Sequence, residues 1–180
     1  MSAPDSVVPP QACALTIAGS DPTGGAGLQA DLQVFRAFGV QGGAVVTALT
    51  VQDSAGVEDA MAIDADWVAD QARALLEDMP VAAFKIGMLG SSAVAAAVSS
   101  IVEDYPDIPL IVDPVQSSGR GDALADDMLD GALRSLIIPQ ATLITPNSLE
   151  ARKLAPGGDT LDACAQELMS LGSEYVLITG

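Results

Sequence analysis

The sequence predicts an α/β fold in which a mostly parallel central sheet lies between layers of helices. Short apolar runs alternate along the chain with longer segments whose apolar residues recur every three or four positions, the pattern of strands and amphipathic helices. The chain has 180 residues, of which 49% are hydrophobic and 17% charged, enough apolar side chain for one core. We therefore expect one domain over residues 12–180, preceded by a flexible proline-containing lead-in at residues 1–11.

The first elements show the alternation clearly. Residues 12–18 are continuously apolar, as expected for a strand that helices cover on both faces. A glycine-dense loop at 19–27 leads into a helix at 28–38, whose apolar residues follow helical spacing. A run rich in Val and Thr at 44–51 predicts the second strand, and a shorter run at 57–63 predicts a third.

The rest of the chain continues the same alternation. A helical stripe from Asp66 to Met79 is closed by Pro80, and the Gly/Ser-rich residues 115–122 predict a loop. Further strands are predicted at 82–88, 110–113, 143–145 and 175–179, and further helices at 91–104, 126–136, 148–154 and 161–171. Because parallel sheets bind ligands at the carboxyl ends of their strands, the residues that follow each strand are the candidates for a site.

Composition excludes several classes of function. Seven basic residues against 24 acidic ones give a net charge of −17, which disfavours nucleic acid and anionic membranes as partners. The sequence has no histidine, so a Ser-His-Asp triad, a Cys-His dyad and an HExxH zinc site are all excluded. Cys13 and Cys164 have no CxxC spacing and are expected to be reduced, buried thiols. With neither a signal peptide nor an apolar run of about 18 residues, we expect a cytoplasmic protein.

The loop at 19–27, GSDPTGGAG, is a candidate ligand site because it joins the first strand to the first helix. Its glycines allow the backbone to approach a ligand closely. It is not a P-loop, because Gly25 stands where lysine is required. Residues 25–30 half match the dinucleotide pattern GxGxxA, but Asp21 and Asp31 would repel a pyrophosphate. A neutral polar ligand fits better, and a glycine turn that only reverses the chain is the structural alternative.

Other polar residues near strand ends allow two interpretations each. Asp31 could accept hydrogen bonds from a ligand, or favour the positive end of its helix. Gln52 could recognise the edge of a heterocycle, or be a polar strand end. Asp113 could hold Mg²⁺ near transferred phosphates, or cap the following loop. Asn147 and Glu150 could form a capping box, or lie beside Mg²⁺ and phosphate oxygens.

Six segments together resemble the hydroxymethylpyrimidine/phosphomethylpyrimidine kinases of thiamine biosynthesis, within the ribokinase-like superfamily. They are ALTIAGSDPTGGAGLQADLQVFRAFG (14–39), VVTALTVQD (45–53), KIGML (85–89), VDPV (112–115), SGRGDALA (118–125) and LITPNSLEA (143–151). They follow the family's order over nearly the whole chain. The resemblance implies a ribokinase-like three-layer fold and a transferase that uses ATP to phosphorylate 4-amino-5-hydroxymethyl-2-methylpyrimidine and then its monophosphate.

The resemblance also implies residues for the pyrimidine pocket. Gly19, Asp31, Gln52 and Met88 match the family's substrate-binding positions. Gln52 would bond the edge of the ring, Asp31 would bond the polar groups of the substrate, and Met88 would pack on the ring.

A second set of residues is implied for the ATP and Mg²⁺ side. Asp113 and Glu150 look like the metal ligands, and Asn147, Glu150 and Thr179 look like the nucleotide-binding residues. The sequence departs from the family at two positions. Gln116 stands where many members carry Met, and Thr179 stands where some members place Lys. The superfamily resemblance further suggests a homodimer.

In the family, the catalytic base lies in a glycine-rich anion hole that follows the strand matching residues 175–179, so the resemblance implies a base beyond Gly180. No such segment occurs in these 180 residues, and Cys164 has no glycine motif around it, so we expect a domain without the C-terminal part of the fold. The expectation is a substrate half with no catalytic residue and slow turnover. Two alternatives stay open, a non-catalytic pyrimidine-binding fragment and a dinucleotide-binding Rossmann protein with Asp53 as its ribose carboxylate.

Overall fold

The computed structural model describes residues 12–115 and 128–180. The strands in chain order are β1 (Cys13–Ala18), β2 (Gln41–Val46), β3 (Ala48–Gln52), β4 (Val57–Ala62), β5 (Val81–Ile86), β6 (Leu110–Val112), β7 (Leu143–Ile144) and β8 (Tyr175–Val176). Six of them form a parallel sheet in the order β2-β1-β5-β6-β7-β8. β3 and β4 pair with each other as a separate antiparallel ribbon.

The helices in chain order are α1 (Gly27–Ala37), α2 (Ala65–Asp78), α3 (Ser92–Glu103), α4 (Leu129–Ala132), α5 (Ser148–Leu154) and α6 (Leu161–Ser170). α4 runs directly into a π turn at Leu133–Ile137 and a 3-10 turn at Ile138–Gln140. Polar side chains cap several N-termini: Ser91 accepts a hydrogen bond from the Val94 N–H, and Thr160 accepts one from the Ala163 N–H. None of the helices in the described residues is long and apolar enough to cross a bilayer.

Two neighbouring glycines of β2 show that the sheet has a helix layer on each face. A Cβ atom added to Gly42 would meet Leu32 of α1, whereas one added to Gly43 would meet Leu75 of α2. Successive residues of a strand point to opposite faces, so α1 and α2 cover different sides of the sheet. This arrangement confirms the predicted three-layer fold with a central parallel sheet.

The core is centred on the middle strands. All six residues of β1 are buried, as the uninterrupted apolar run predicts. Leu15 and Ile17 of β1, with Phe84 and Ile86 of β5, are among the largest fully buried side chains. The edge of the Phe84 ring contacts the Tyr105 ring, with centroids 6.3 Å apart. The rigid strands of this core carry the residues that line the candidate site.

The structure corrects one prediction, the single strand at 44–51. The backbone leaves the parallel sheet at Thr47, whose N–H donates to the Ala18 carbonyl while its own carbonyl accepts from the Ile63 N–H. The Thr47 hydroxyl donates to the Met88 carbonyl at 2.5 Å. These bonds end β2 and start the ribbon, which also takes up the predicted strand at 57–63. An apolar, β-branched run favours extended backbone but does not say which sheet each half joins.

The remaining predicted elements agree with the structure within a few residues, apart from the predicted helix at 126–136. Part of that helix lies outside the described residues, and the rest is α4 followed by the π turn. Gln116, the segment 118–125 and the lead-in at 1–11 also lie outside the described residues. Cys13 and Cys164 are both buried and form no disulfide, as predicted.

Candidate active site

A cavity of about 480 Å³ opens at the carboxyl ends of β1, β5 and β6, with the β3–β4 ribbon along one side. Five of the predicted site residues line it: Gly19, Asp31, Gln52, Met88 and Asp113. They come from loops and strands that are far apart in sequence. The rule that parallel sheets bind ligands at this edge therefore located the cavity correctly.

The glycine-dense loop is held in shape by the Asp21 carboxylate. Asp21 is 3% exposed, and its side chain accepts hydrogen bonds from the N–H groups of Thr23 and Ala26, each at 2.8 Å. The Thr23 hydroxyl adds a third bond at 3.0 Å. Gly27 begins α1 at a φ of 58°, and a Cβ there would lie 2.4 Å from the Gly19 carbonyl oxygen, so no side chain fits. Asp21 thus organises the loop at the floor of the cavity.

Asp31 connects α1 to the two central strands. Its Oδ2 accepts one hydrogen bond from the Thr16 hydroxyl of β1 at 2.6 Å and another from the Lys85 ammonium of β5 at 2.9 Å. The first turn of α1 contains no acidic residue. Asp31 therefore faces the sheet and a cation, and the interpretation as a residue that only favours the helix end is wrong.

Lys85 is the site residue that the sequence reasoning missed. It extends from β5 between two carboxylates, with Nζ 2.9 Å from Oδ2 of Asp31 and 4.0 Å from Oδ2 of Asp113. Gly87 leaves room for it, since a Cβ there would come within 3.0 Å of the Lys85 Nζ. The available signal was a lysine in the otherwise apolar strand VAAFKI. Among the described residues that line the cavity, Lys85 is the one cation.

The β3–β4 ribbon presents polar side chains to the cavity. Thr50 and Gln52 alternate with the more exposed Leu49 and Val51 along β3 and lie on the cavity side. The Thr50 hydroxyl is within hydrogen-bond distance of the Ser20 carbonyl, at 2.8 Å, and of Gln52 Oε1, at 3.2 Å. Ribbon and glycine loop are therefore bonded together. Gln52 presents an amide, which can both donate and accept.

The carboxylate of Asp53 has a local contact in this ribbon. Its Oδ1 accepts hydrogen bonds from two backbone N–H groups of the turn that joins β3 to β4, at 2.7 and 3.0 Å. Asp53 therefore stabilises the hairpin turn at the edge of the cavity.

Met88 forms the apolar wall. It is 7% exposed and packs in a small cluster with Ala48 and Val115. Its methyl group lies across Gly19, because a Cβ added to Gly19 would be 2.3 Å from Met88 Cε. The hydrogen bond from Thr47 to the Met88 carbonyl fixes the backbone at this point. Gly19 and Met88 thus make one continuous surface.

Asn147, Glu150 and Thr179 gather at the ends of β7 and β8, apart from the residues that line this cavity. Asn147 and Glu150 form a capping box: Glu150 Oε2 accepts from the Asn147 N–H, and Asn147 Oδ1 accepts from the N–H groups of Leu149 and Glu150, all at 2.9 Å. The Thr179 N–H donates to the Pro146 carbonyl at 2.9 Å, which pairs Thr179 with Asn147. The interpretation of Asn147 and Glu150 as a capping box is confirmed.

Gly180 follows Thr179 at this edge of the sheet. It is exposed, a Cβ atom added to it would meet no atom of residues 12–115 and 128–180 within 4 Å, and it does not line the cavity. No contact within the described residues bears on the family's catalytic base, so its expected position beyond Gly180 stays a prediction.

Burial and nearby charges change the pKa values of two carboxylates, Asp113 and Glu150. Burial raises the pKa of Glu150, the Asn147 N–H lowers it, and the charge of Asp113 raises it again. Burial also raises the pKa of Asp113, while Lys85 lowers it and Asp31 raises it. The charge of Asp113 therefore disfavours ionisation of Glu150, and a cation bound nearby would relieve that repulsion.

The donor set fits a hard cation that also takes ligands from a substrate. Within residues 12–115 and 128–180, no three Cys, Asp or Glu side chains converge as a complete metal site. Mg²⁺ is commonly bound by one or two carboxylates plus phosphate oxygens, and so needs no protein cage. Asp113 and Glu150 are the two carboxylates that could contribute to such a site.

The sheet order and the position of the cavity define a fold of the ribokinase-like class. The sequence profile of the family described as "Phosphomethylpyrimidine kinase" matches residues 21–180. This chain belongs to the phosphomethylpyrimidine kinase family.

Comparisons with individual proteins agree with this assignment. The chain is 41% identical over 183 residues to a hydroxymethylpyrimidine/phosphomethylpyrimidine kinase of Mycobacterium bovis, an alignment that covers 99% of this chain and 66% of the relative. The crystal structure of a phosphomethylpyrimidine kinase from Clostridium difficile superposes with a TM-score of 0.86 at 36% identity, over 94% of this chain and 75% of that chain. The chain thus spans slightly less than two thirds of the length of the curated relative.

A pyridoxal kinase from Staphylococcus aureus shares the same fold. Its structure in complex with AMP-PCP and pyridoxal superposes with a TM-score of 0.80 at 30% identity, over 94% of this chain and 62% of that chain. That protein therefore holds an ATP analogue and a nitrogen heterocycle together on this scaffold.

Proposed function

We propose that this chain binds 4-amino-5-hydroxymethyl-2-methylpyrimidine in the cavity at the carboxyl ends of β1, β5 and β6. It would serve there as the substrate-binding part of a kinase that uses ATP to phosphorylate the hydroxymethyl group and then the resulting monophosphate. The observation that carries the proposal is the convergence of Gly19, Asp31, Gln52 and Met88 on one cavity of about 480 Å³. Small-molecule sites are commonly concave, apolar and furnished with a few polar groups, in this size range.

Each lining group has a task in binding a flat, uncharged heterocycle. Met88 and the bare backbone of Gly19 offer an apolar surface against which the ring packs. Gln52 offers an amide that donates to a ring nitrogen and accepts from an amino group. Asp31 offers a carboxylate oxygen to the amino group. Pyridoxal, the ligand of the Staphylococcus aureus relative, is also a six-membered nitrogen heterocycle with a hydroxymethyl group, which supports this class of ligand.

The nucleotide side of the proposal uses Asp113, Asn147, Glu150 and Thr179. Asp113 and Glu150 would hold Mg²⁺, and Asn147 and Thr179 would face the nucleotide phosphates. When bound, the ion would neutralise charge on the phosphoryl group that is transferred. AMP-PCP in the Staphylococcus aureus relative supports nucleotide binding on this scaffold. The capping box leaves Oε1 of Glu150 without a hydrogen bond from the described residues, so this oxygen is available to a ligand.

We assign no catalytic base to the described residues and place it, as the resemblance implies, beyond Gly180. Cys164 is buried in α6, with its Sγ 3.6 Å from the carbonyl oxygens of Ala155 and Gly158, and it does not line the cavity. The lining residues bind and orient the substrate but do not accept the proton of its alcohol. We therefore expect measurable pyrimidine binding with slow consumption of ATP.

The experiment is calorimetric titration of the chain with the aminopyrimidine alcohol, followed by an assay of ATP consumption. Wild type should bind with a micromolar Kd. Asp31→Asn and Gln52→Ala should each weaken binding about tenfold or more, because the first replaces a charged acceptor with a neutral amide and the second removes the amide altogether. Gln166→Ala, at a glutamine on α6 outside the cavity, is the matched control and should bind like wild type.

Three results would count against the proposal. Absence of pyrimidine binding to wild type would remove its basis. Tight binding of NAD that is abolished by Asp53→Ala and unaffected by Gln52→Ala would favour the dinucleotide alternative. Rapid ATP consumption with the pyrimidine would contradict the absence of a base among these residues.

A further inference from the structure

We propose that Lys85 and Thr16 are positioning residues that hold Asp31 as a pure hydrogen-bond acceptor, so that the cavity selects heterocycles that carry an amino donor. The inference rests on the proposed function, because it takes the cavity to be a pyrimidine site. It adds a role for two side chains that the proposed function leaves without one.

The three side chains come from three elements and meet at one atom. Thr16 on β1 and Lys85 on β5 both donate to Oδ2 of Asp31 on α1, at 2.6 and 2.9 Å. Thr16 is fully buried, and the side chains of Lys85 and Asp31 are only 20% and 17% exposed. Because two donors on neighbouring strands hold one oxygen, the plane of the Asp31 carboxylate is fixed relative to the sheet. No hydrogen bond from the described residues reaches the other oxygen, Oδ1.

The chemistry of the donors decides what Asp31 can do. An ammonium group has three N–H donors and no lone pair, so Lys85 donates to Asp31 and cannot accept from it. Two donors thus occupy Oδ2 of Asp31, and we take Oδ1, which receives no hydrogen bond from the described residues, as the oxygen that accepts from a ligand in the cavity. Gln52 presents both a donor and an acceptor, so the amide alone does not distinguish an amino group from a carbonyl.

The cavity would discriminate between ligands by the group that each places against Oδ1 of Asp31. A ligand with an amino group at this position satisfies Asp31, whereas a ligand with hydrogen there leaves a carboxylate oxygen unpaired, and one with a carbonyl places two acceptors together. A site built to bond one polar group rejects analogues that lack it far more strongly than an apolar pocket rejects a change of size.

Lys85 also lies 4.0 Å from Asp113, beyond hydrogen-bond distance, so its bond goes to Asp31.

The test uses four variants of the whole chain and two ligands. Lys85→Met and Thr16→Val keep the size of each side chain and remove one donor, and Lys85→Arg keeps the charge. Lys153→Met is the control, because Lys153 pairs with Asp130 at 2.9 Å outside the cavity. The ligands are 4-amino-5-hydroxymethyl-2-methylpyrimidine and the same compound with hydrogen in place of the amino group. Calorimetry gives both Kd values, and their ratio measures the preference.

Wild type should prefer the amino compound at least about tenfold. Lys85→Met and Thr16→Val should each lower that preference about tenfold, mainly by weakening the amino compound, because a hydrogen bond to a charged group is typically worth a tenfold to hundredfold change. Lys85→Arg should retain part of the preference, and Lys153→Met should match wild type. A role confined to folding would weaken both ligands equally and leave the ratio unchanged.

The possible failures are distinguishable. An unchanged ratio in Lys85→Met and Thr16→Val, or a wild type that binds both ligands equally, would overturn the inference and leave the proposed function intact. A wild type that binds neither ligand would overturn the proposed function itself. If Lys85→Met does not fold, as judged by its thermal melting curve, Thr16→Val alone decides, since it removes a single hydroxyl group.

Discussion

Gly19→Ala should weaken ligand binding while it leaves the stability of the fold nearly unchanged. A Cβ at Gly19 would lie 2.3 Å from Met88 Cε, whereas its other neighbours, Ala48 O and Met88 Cβ, are at an ordinary 3.7 Å. Gly19 is not among the glycines with positive φ, so alanine fits its backbone. The Met88 methyl group would have to retreat by about 1.2–1.7 Å to reach normal contact distance. Met88 lines the cavity, so we expect its side chain to turn into the space that the ring would fill.

The free energy of unfolding should therefore change little in Gly19→Ala, whereas the free energy of ligand binding should change more. Replacing glycine by alanine in a compatible backbone stabilises by about 0.4–1 kcal/mol, and a non-ideal side-chain rotamer costs a similar amount, so the free energy of unfolding should change by less than about 1 kcal/mol. The Kd for the aminopyrimidine alcohol should rise at least about tenfold, which is about 1.4 kcal/mol. Denaturant unfolding measures the first quantity and calorimetric titration the second.

A double-mutant cycle tests the cause. Met88→Ala removes the clashing group and should itself weaken binding, but Gly19→Ala should then add little in the double variant, because the two residues act through one contact. Gly131→Ala is the control, because no atom of the described residues lies within 4 Å of the added methyl group. If the double variant loses the sum of the two single effects, or if Gly19→Ala binds like wild type, the reasoning about this wall is refuted.

Two further predictions concern stability. Gly172→Ala should cost about 1–3 kcal/mol in denaturant unfolding, because Gly172 has a φ of 125° and a Cβ there would lie 2.8 Å from the backbone of Pro139; a variant as stable as wild type would contradict this. The pKa of Glu150 is raised above its usual 4.5, so the folded state holds the carboxyl proton more tightly than the unfolded chain does. The contribution of Glu150 to stability therefore falls as the pH rises from the unfolded pKa through the folded pKa. Glu150→Gln, which keeps an oxygen for the Asn147 N–H, should remove that decline when unfolding is measured from about pH 4 to pH 8; a variant with the same slope as wild type would count against it.

The order of strands and helices could be predicted from the sequence because their periodicities differ. A buried parallel strand such as β1 is apolar throughout, whereas α1 shows its three- and four-residue spacing. The break at Thr47 could not be predicted, since a β-branched residue fits an extended strand and a junction equally well. What makes Thr47 a junction is its bonding to Ala18, Ile63 and Met88, and these partners are brought together only by the fold.

The candidate site was predictable only in part, for the same reason. Asp113 could be found because it follows a strand of the parallel sheet, whereas Asp31 and Gln52 were favoured as ligand-binding residues by the resemblance to the kinase family. Lys85 could not be given a role, because its bond to Asp31 spans 54 positions in the chain. A charged residue in an apolar strand is nevertheless a visible anomaly, and it predicts that the fold supplies a partner of opposite charge.

The ribbon of β3 and β4 has its own consequence for how such a site could diversify. In the described part of the chain, these strands pair only with each other, although β3 follows β2 after a single residue. Insertions or replacements between residues 48 and 62 would therefore leave the pairing register of the six-stranded sheet untouched. A change in the ribbon would thus reshape one side of the cavity and leave in place the strands that carry Thr16 and Lys85.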